Sequence, residues 1–218
     1  MGLDFGVVPG YLGALSVGAG WTVVITVLAG AFSIVAGVLF AVGGLYGHPL
    51  IRYPVKAFVW LFRGTPLLLQ LFLIYFGLVE IGIDLNAFVA GVIGLGLHFA
   101  AYNADIIQAG IVAVDRGQTE AGRTLGLSRY QTVSRIVVPQ AVRDVVPALG
   151  NNMIALLKDS ALVSVIGVAE LTLSAQLAIS KTFRPFEFYF AAAVFYYVIN
   201  LCLEAALSRI ERRMEAAR

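Results

Sequence analysis

Charged and amide side chains set inside apolar sequence are the first candidates for chemistry in this chain. Lys158 and Asp159 adjoin within Leu156-Leu-Lys-Asp-Ser-Ala-Leu-Val-Ser-Val-Ile166, Asn103 and Asp105 interrupt a second apolar run, and Gln70 and Tyr75 a third. A lone charge at the centre of a membrane helix costs about 2.5–3.5 kcal/mol on insertion scales, so such groups face protein or water and not lipid. Adjacent helical residues project about 100° apart, so Lys158 and Asp159 each need a different partner or water. Asp105 and Asn103 are candidate partners for Lys158, and Ser160 and Ser164 add hydrogen-bonding capacity. Two uses are open: a buried network that joins helices, or a pocket for the charged ends of a ligand.

Other chemistries lack their residues. No His-Glu-x-x-His, Gly-x-Ser-x-Gly or cysteine cluster occurs, and the one cysteine, Cys202, lies in an apolar run where it reads as a small buried hydrophobe. His48, beside Pro49, reads as a loop residue, and His98 as a packed side chain. A net charge of +2 with scattered basic residues gives nucleic-acid binding no support.

The second candidate is a polar loop, residues 115–143, which contains Asp115-Arg-Gly-Gln-Thr-Glu-Ala-Gly-Arg-Thr-Leu-Gly-Leu-Ser-Arg-Tyr-Gln-Thr-Val-Ser-Arg-Ile-Val-Val-Pro139. Thr119 to Leu125 predicts one helix, Gly126 its end, and Ser128 the cap of a second helix that Pro139 should limit. A helix–glycine–helix elbow is a rigid knob, suited to contact with a partner.

The elements that carry these residues follow from composition. With 60% hydrophobic and 13% charged residues, the chain has too little polar surface to cover a water-soluble globule. A spanning helix needs about 20 apolar residues. Runs near 20–45, 56–79, 87–113, 146–168 and 188–207 predict an all-α, polytopic membrane protein with about five spans in one domain, 1–218, and Pro147 near the start of the fourth. No Lys or Arg precedes Arg52, so the first apolar segment lacks the basic flank of a signal peptide and reads as retained. Arg52, Lys56 and Arg63, then Arg116, Arg123, Arg129, Arg135 and Arg143, then Arg209, Arg212, Arg213 and Arg218 fall on one side of five spans. Cytoplasmic flanks are rich in basic residues, so the N-terminus is expected outside and the C-terminus in the cytoplasm. Ala29, Ser33, Gly37 and Ala41 recur every four residues and give the first span a face that another helix can approach closely. Leu3 to Ser16 reads as an interfacial segment, and Phe183, Phe186, Phe188, Tyr189 and Phe190 as an outer aromatic belt.

Within the loop, Glu120-Ala121-Gly122, three residues, Gly126, nine residues, Ile136, two residues and Pro139 resemble the EAA motif of the membrane subunits of bacterial ABC importers. Gly122 replaces the motif's second Ala, which weakens the first helix by up to about 1 kcal/mol, and Val138 replaces Leu. Phe62-Arg-Gly-Thr-Pro-Leu-Leu-Leu-Gln-Leu-Phe72, Ala101-Tyr-Asn-Ala-Asp105, Gly117-Gln118, Pro139-Gln-Ala-Val-Arg143 and Leu156 to Ile166 are similar to the polar amino-acid permeases, the histidine/glutamate/glutamine/arginine/opine group.

The resemblance implies a type I ABC importer-like fold in the bacterial inner membrane. It also implies a second permease subunit, identical or related, an extracytoplasmic solute-binding protein that delivers a polar or charged amino acid, and cytoplasmic ATPase subunits that bind ATP and Mg. The chain has no Gly-x-x-x-x-Gly-Lys-Ser/Thr loop, so energy must come from those subunits, with no cofactor or metal in the chain itself. On this resemblance Glu120, Ala121, Gly122, Arg123, Leu125, Gly126 and Leu127 form the coupling surface: Glu120 and Arg123 supply polar contacts, Leu125 and Leu127 apolar ones, and Gly126 the hinge. It also favours the pocket reading of Gln70, Tyr75, Asn103, Asp105, Lys158, Asp159, Ser160 and Ser164, placed where the third and fourth spans meet the second. The alternatives are an ABC importer subunit for another small solute, and a stand-alone channel or secondary transporter.

Overall fold

The structure, a computed structural model, describes residues 2–215; Arg218 of the basic tail lies outside them. A 3₁₀ segment, Phe5–Tyr11, runs directly into α1 (Leu12–Tyr46), so the residues from Leu12 to Ser16 form the first turns of the first span and not a separate interfacial piece. At about 1.5 Å per residue, the 35 residues of α1 exceed the roughly 30 Å hydrocarbon layer. Its buried stripe is mostly small: Ala29, Ser33, Gly37 and Ala41 all belong to it, and α4 packs there in the most extensive helix pair of the fold.

His48 caps α2 (Pro49–Gly64), which stops at Thr65-Pro66. Pro66 has no N–H and drives Thr65 into an extended conformation (φ −121°, ψ 145°), so α3 (Leu67–Phe72) leaves in a new direction. It continues through a π turn and a 3₁₀ turn to Ile81, and the two arms are bent by 115°. The run expected as a second span is therefore a broken helix pair. Asn86 caps α4 (Ala87–Ala113), the most enclosed of the long helices.

After the loop helices α5 (Arg116–Thr124) and α6 (Arg129–Thr132), the chain passes through a π turn, Val133–Val137, into α7 (Val138–Asp159) and a 3₁₀ extension, Ser160–Ile166. Pro139 does not limit the second loop helix, and Pro147 does not begin the fourth span. Both lie inside one continuous helical rod from Arg129 to Ile166. The physical reason is the π turn, where the Val138 N–H bonds the Val133 carbonyl and the wider turn gives the Pro139 ring room. Gln140 Nε2 also donates to the Ile136 carbonyl at 2.9 Å, satisfying an acceptor beside the widened turn.

The link that follows folds into α8 (Leu171–Thr182), and α9 (Pro185–Glu215) closes the chain along the periphery as the least enclosed long helix. Among the described residues, four helical segments are long and apolar enough to cross a membrane, and the bent pair makes five if it counts as one span. The main core joins Ile25 and Ala29 of α1, Leu67 and Leu71 of α3, Leu95 and Phe99 of α4, and Leu156 of α7. A second core joins Leu15 of α1, Leu171 and Ala175 of α8, and Phe188 of α9. Phe188 is thus fully buried, with its ring 5.2 Å from Tyr11, and only its neighbours Phe183, Phe186, Tyr189 and Phe190 are exposed as a belt requires. Cys202, on α9, is exposed.

Candidate functional site

The loop between α4 and α7 is an elbow fixed at each corner. Asp115 Oδ1 accepts from the Gly117 N–H at 2.7 Å and starts α5. At its far end the Leu125 N–H bonds the Ala121 carbonyl and the Leu127 N–H the Gly122 carbonyl, while Gly126 turns the chain at φ +77°. That left-handed angle strains any residue with a Cβ, which explains glycine there. Ser128 then forms a capping box with Gln131, whose side chain accepts from the Ser128 N–H at 2.9 Å.

Gly122 is buried at the crossing of the two loop helices. A Cβ built on it would stand 2.8 Å from Thr132 Cγ2 and 3.2 Å from Ile136 Cδ1. The departure from Ala at this position therefore brings α5 closer to α6 than Ala would allow. The elbow presents its remaining side chains outward: Glu120, Ala121 and Arg123 are exposed, Leu127 is half-buried, and Leu125 and Tyr130 are 77% and 81% exposed. Tyr130 is absent from the residues expected at this surface; the motif spacing contains no signal for it, and only the cap at Ser128 points it outward. Arg129 lies 5.9 Å from the Tyr46 ring and ties the elbow to the end of α1.

The intramembrane polar residues do not converge on one pocket. Asp105 pairs with Arg63, at the end of α2, whose guanidinium lies 5.6 Å over the Tyr102 ring, so Asp105 is not the partner of Lys158. Asn103 is buried, donates to Ser33 Oγ at 3.1 Å and accepts from Asn152 Nδ2 at 2.9 Å, which joins α1, α4 and α7. Gln70 is buried in the α2–α3 break: its Nε2 donates to the Phe62 carbonyl at 2.7 Å and to Thr65 Oγ1 at 2.8 Å, and its Oε1 lies 2.9 Å from His98 Nδ1. Tyr75 packs half-buried against the main core, and the Ser160 and Ser164 hydroxyls donate at 2.7 Å to the Leu157 and Ala161 carbonyls. Asp159 is half-buried. Lys158 is exposed and lines a groove between α7 and α9 with Tyr196, Tyr197 and Asn200.

A further buried cluster, around Glu170, has no counterpart in the sequence reading. Glu170 is fully buried and caps α8: Oε1 accepts from the Leu173 N–H at 3.0 Å, and Oε2 accepts from Tyr196 OH at 2.6 Å and Thr22 Oγ1 at 3.3 Å. Burial pushes this carboxyl up from its usual range, and the donors around it pull partly back. Thr22 in turn accepts from the Leu171 N–H at 3.2 Å, so α1, α8 and α9 meet at one knot. Glu170 and Thr22 are 148 residues apart, and glutamate is not among the favoured N-cap residues, so no local signal marks Glu170.

The bent pair, the continuous rod and the capped elbow define a polytopic α-helical membrane protein with a rigid elbow between α4 and α7. Residues 33–216 match the binding-protein-dependent transport system inner membrane component family, and the chain belongs to that family. It is 36% identical over 220 residues to the probable amino-acid ABC transporter permease protein PatM of Vibrio harveyi, covering 100% of this chain and 99% of that one. It is 39% identical over 200 residues to the glutamine transport system permease protein GlnP of Escherichia coli strain K12, covering 91% of each. A crystal structure of an amino acid ABC transporter with histidines superposes with a TM-score of 0.91 at 41% identity, covering 98% of this chain and 100% of that one. The inward-facing MetNI methionine ABC transporter shares the fold, with a TM-score of 0.75 at 23% identity over 93% of this chain and 97% of that one.

Proposed function

We propose that this chain is the membrane-spanning subunit of an ATP-driven importer that carries a polar or charged amino acid across the bacterial inner membrane, its N-terminus outside and its C-terminus in the cytoplasm. Its elbow docks on a separate cytoplasmic ATPase, which holds ATP and Mg, while a second permease subunit completes the path and an extracytoplasmic solute-binding protein delivers the substrate. The observation that carries this reading is the elbow itself: two exposed apolar side chains, Leu125 and Tyr130, on a turn locked by Asp115, Gly126 and the Ser128 capping box. Named amino-acid permeases among the relatives support the substrate class.

Glu120 and Arg123 supply the polar contacts at that surface, with Ala121 and Gly122 behind them, and Leu125, Leu127 and Tyr130 the apolar ones; Gly126 sets the turn. Of the intramembrane residues, Lys158 and Asp159 keep the substrate role. Gln70, Tyr75, Asn103, Asp105, Ser160 and Ser164 serve the packing described above.

The test is reconstitution of the complex in liposomes with its ATPase and binding protein. Import and ATP hydrolysis stimulated by an amino acid on the binding protein are the expected results, with no hydrolysis by this chain alone. Amino-acid flux through this chain without an ATPase would establish a channel or secondary transporter instead.

A further inference from the structure

Where the elbow meets the spans, the chain gathers two cations and no anion. A pocket of about 220 Å³ lies between the elbow and the ends of α1 and α4, lined by Arg123, Arg129, Thr119, Thr132 and Tyr46 among others. Among the described residues neither guanidinium has an ion-pair partner, and no carboxylate lines the pocket; Arg129 has only the Tyr46 ring beside it. The Thr119 hydroxyl likewise has no hydrogen bond among the described residues, whereas Thr132 Oγ1 donates to the Ser128 carbonyl at 3.0 Å. Two guanidinium forks and a free hydroxyl around one small space suit a phosphate group.

The pocket is also the end of a groove of opposite character. This groove, of about 430 Å³ between α1, α4, α7 and α9, is lined by apolar residues alone. Ile111 lines both spaces, and each helix passes from one to the other within about a turn: Val42 to Tyr46 on α1, Ile111 to Val114 on α4, Val138 to Val137 on the rod. At about 1.5 Å per residue, the wall from Val138 to Met153 reaches about 22 Å, more than the roughly 15 Å of one hydrocarbon leaflet.

We infer that pocket and groove together seat one anionic phospholipid from the leaflet beside the elbow. Its phosphate lies between Arg129, Arg123 and Thr119, and one acyl chain lies along α7 in the groove. A soluble phosphate would leave the groove unfilled, and an acyl chain alone would leave the guanidiniums unpaired. A zwitterionic headgroup brings its own cation toward two others, so net negative charge is selected. Bound there, the lipid bridges the elbow to the end of α1. The inference does not depend on which solute the protein carries.

Native mass spectrometry of the purified full chain in detergent, titrated with phosphatidylglycerol or with phosphatidylcholine of the same acyl chains, tests this. The first phosphatidylglycerol should bind at least about fivefold more tightly, the factor that one basic side chain at a membrane surface supplies. Arg129→Gln should bring the two lipids within about twofold of each other, and Arg129→Lys should keep most of the preference. Arg116→Gln, exposed on α5 outside the pocket, should leave it unchanged, which separates a local site from general surface charge. Val142→Trp fills the groove with both arginines in place and should weaken phosphatidylglycerol by about fivefold, so the inference stays testable if Arg129→Gln does not fold. Arg123 is left intact throughout, because it also belongs to the ATPase surface proposed above, and melting curves in lipid-free detergent report folding. Equal binding of the two lipids to the wild type, a preference that survives Arg129→Gln, or unchanged binding in Val142→Trp would each overturn the assignment. Displacement of the lipid by millimolar inorganic phosphate would overturn it too, since the site would then serve a soluble anion.

Discussion

The Glu170 knot and the Gly126 elbow are built from the same capping chemistry and have opposite surfaces. At the knot a carboxylate caps α8 and is fully buried, every oxygen paired with a donor from α1, α8 or α9. At the elbow Asp115 and Ser128 cap their helices with equal care, yet the turn holds Leu125 and Tyr130 out to solvent. The knot spends its polar groups on this chain's own stability, whereas the elbow, held by its caps and by Arg129 over the Tyr46 ring, leaves its tip exposed. Rigidity at an exposed apolar tip reduces the ordering cost of docking, which is what a partner surface requires.

The comparison breaks first at the knot. Glu170→Ala takes the carboxylate acceptor from the Leu173 N–H and Tyr196 OH, while Thr22 keeps the Gly18 carbonyl, and should lower unfolding stability in detergent by about 3 kcal/mol, with Glu170→Gln costing less. Thermal unfolding followed by fluorescence is the check. A midpoint unchanged by Glu170→Ala would mean that water takes over the acceptor role and that the knot is not a structural tie.

At the elbow the signs should separate. Tyr130→Ala and Leu125→Ser each remove an exposed side chain, so stability should stay within about 0.5 kcal/mol. Affinity for the ATPase should fall by about 2 kcal/mol each, near thirtyfold, if both are anchors. Titrating fluorescent ATPase into nanodiscs measures this directly. Gly126→Val comes next: a β-branched residue at φ +77° costs about 1–2 kcal/mol locally. It should weaken amino-acid-stimulated ATP hydrolysis while leaving import-independent folding of the spans intact, as judged by the same melting curve.

How far the sequence reveals each region follows from the range of the interactions that make it. The elbow's caps act over two or three residues, so Gly126 and Ser128 announce their corners, whereas the first loop helix begins at Arg116 behind Asp115 and not at Thr119; α4 (Ala87–Ala113) coincides with its apolar run. Pro139 misleads because its accommodation depends on a π turn just before it, which no local propensity signals. The break at Thr65-Pro66 is written in the proline, but its 115° bend depends on Gln70 and His98 meeting across 28 residues. Glu170 and Thr22, and Arg63 and Asp105, are pairs that only the packed helices bring together, so a charge in the sequence shows the need for a partner and not its identity.

The smallest effect is the most specific test of the elbow's geometry. Gly122→Ala adds about 1 kcal/mol of helix propensity to α5 but places a methyl 2.8 Å from Thr132 Cγ2 and 3.0 Å from its Oγ1. The two terms oppose each other, so the single variant should change stability little, with the elbow displaced by a few tenths of an ångström. In a Thr132→Ala background the only tight contact left is Ile136 Cδ1 at 3.2 Å, the far end of a flexible side chain, so Gly122→Ala should there stabilise by up to about 1 kcal/mol. A coupling energy near zero between the two sites, from four melting curves, would show that α5 and α6 do not depend on that close approach. The exposure of Leu125 and Tyr130 would then have to be set by Gly126 and the Ser128 capping box alone.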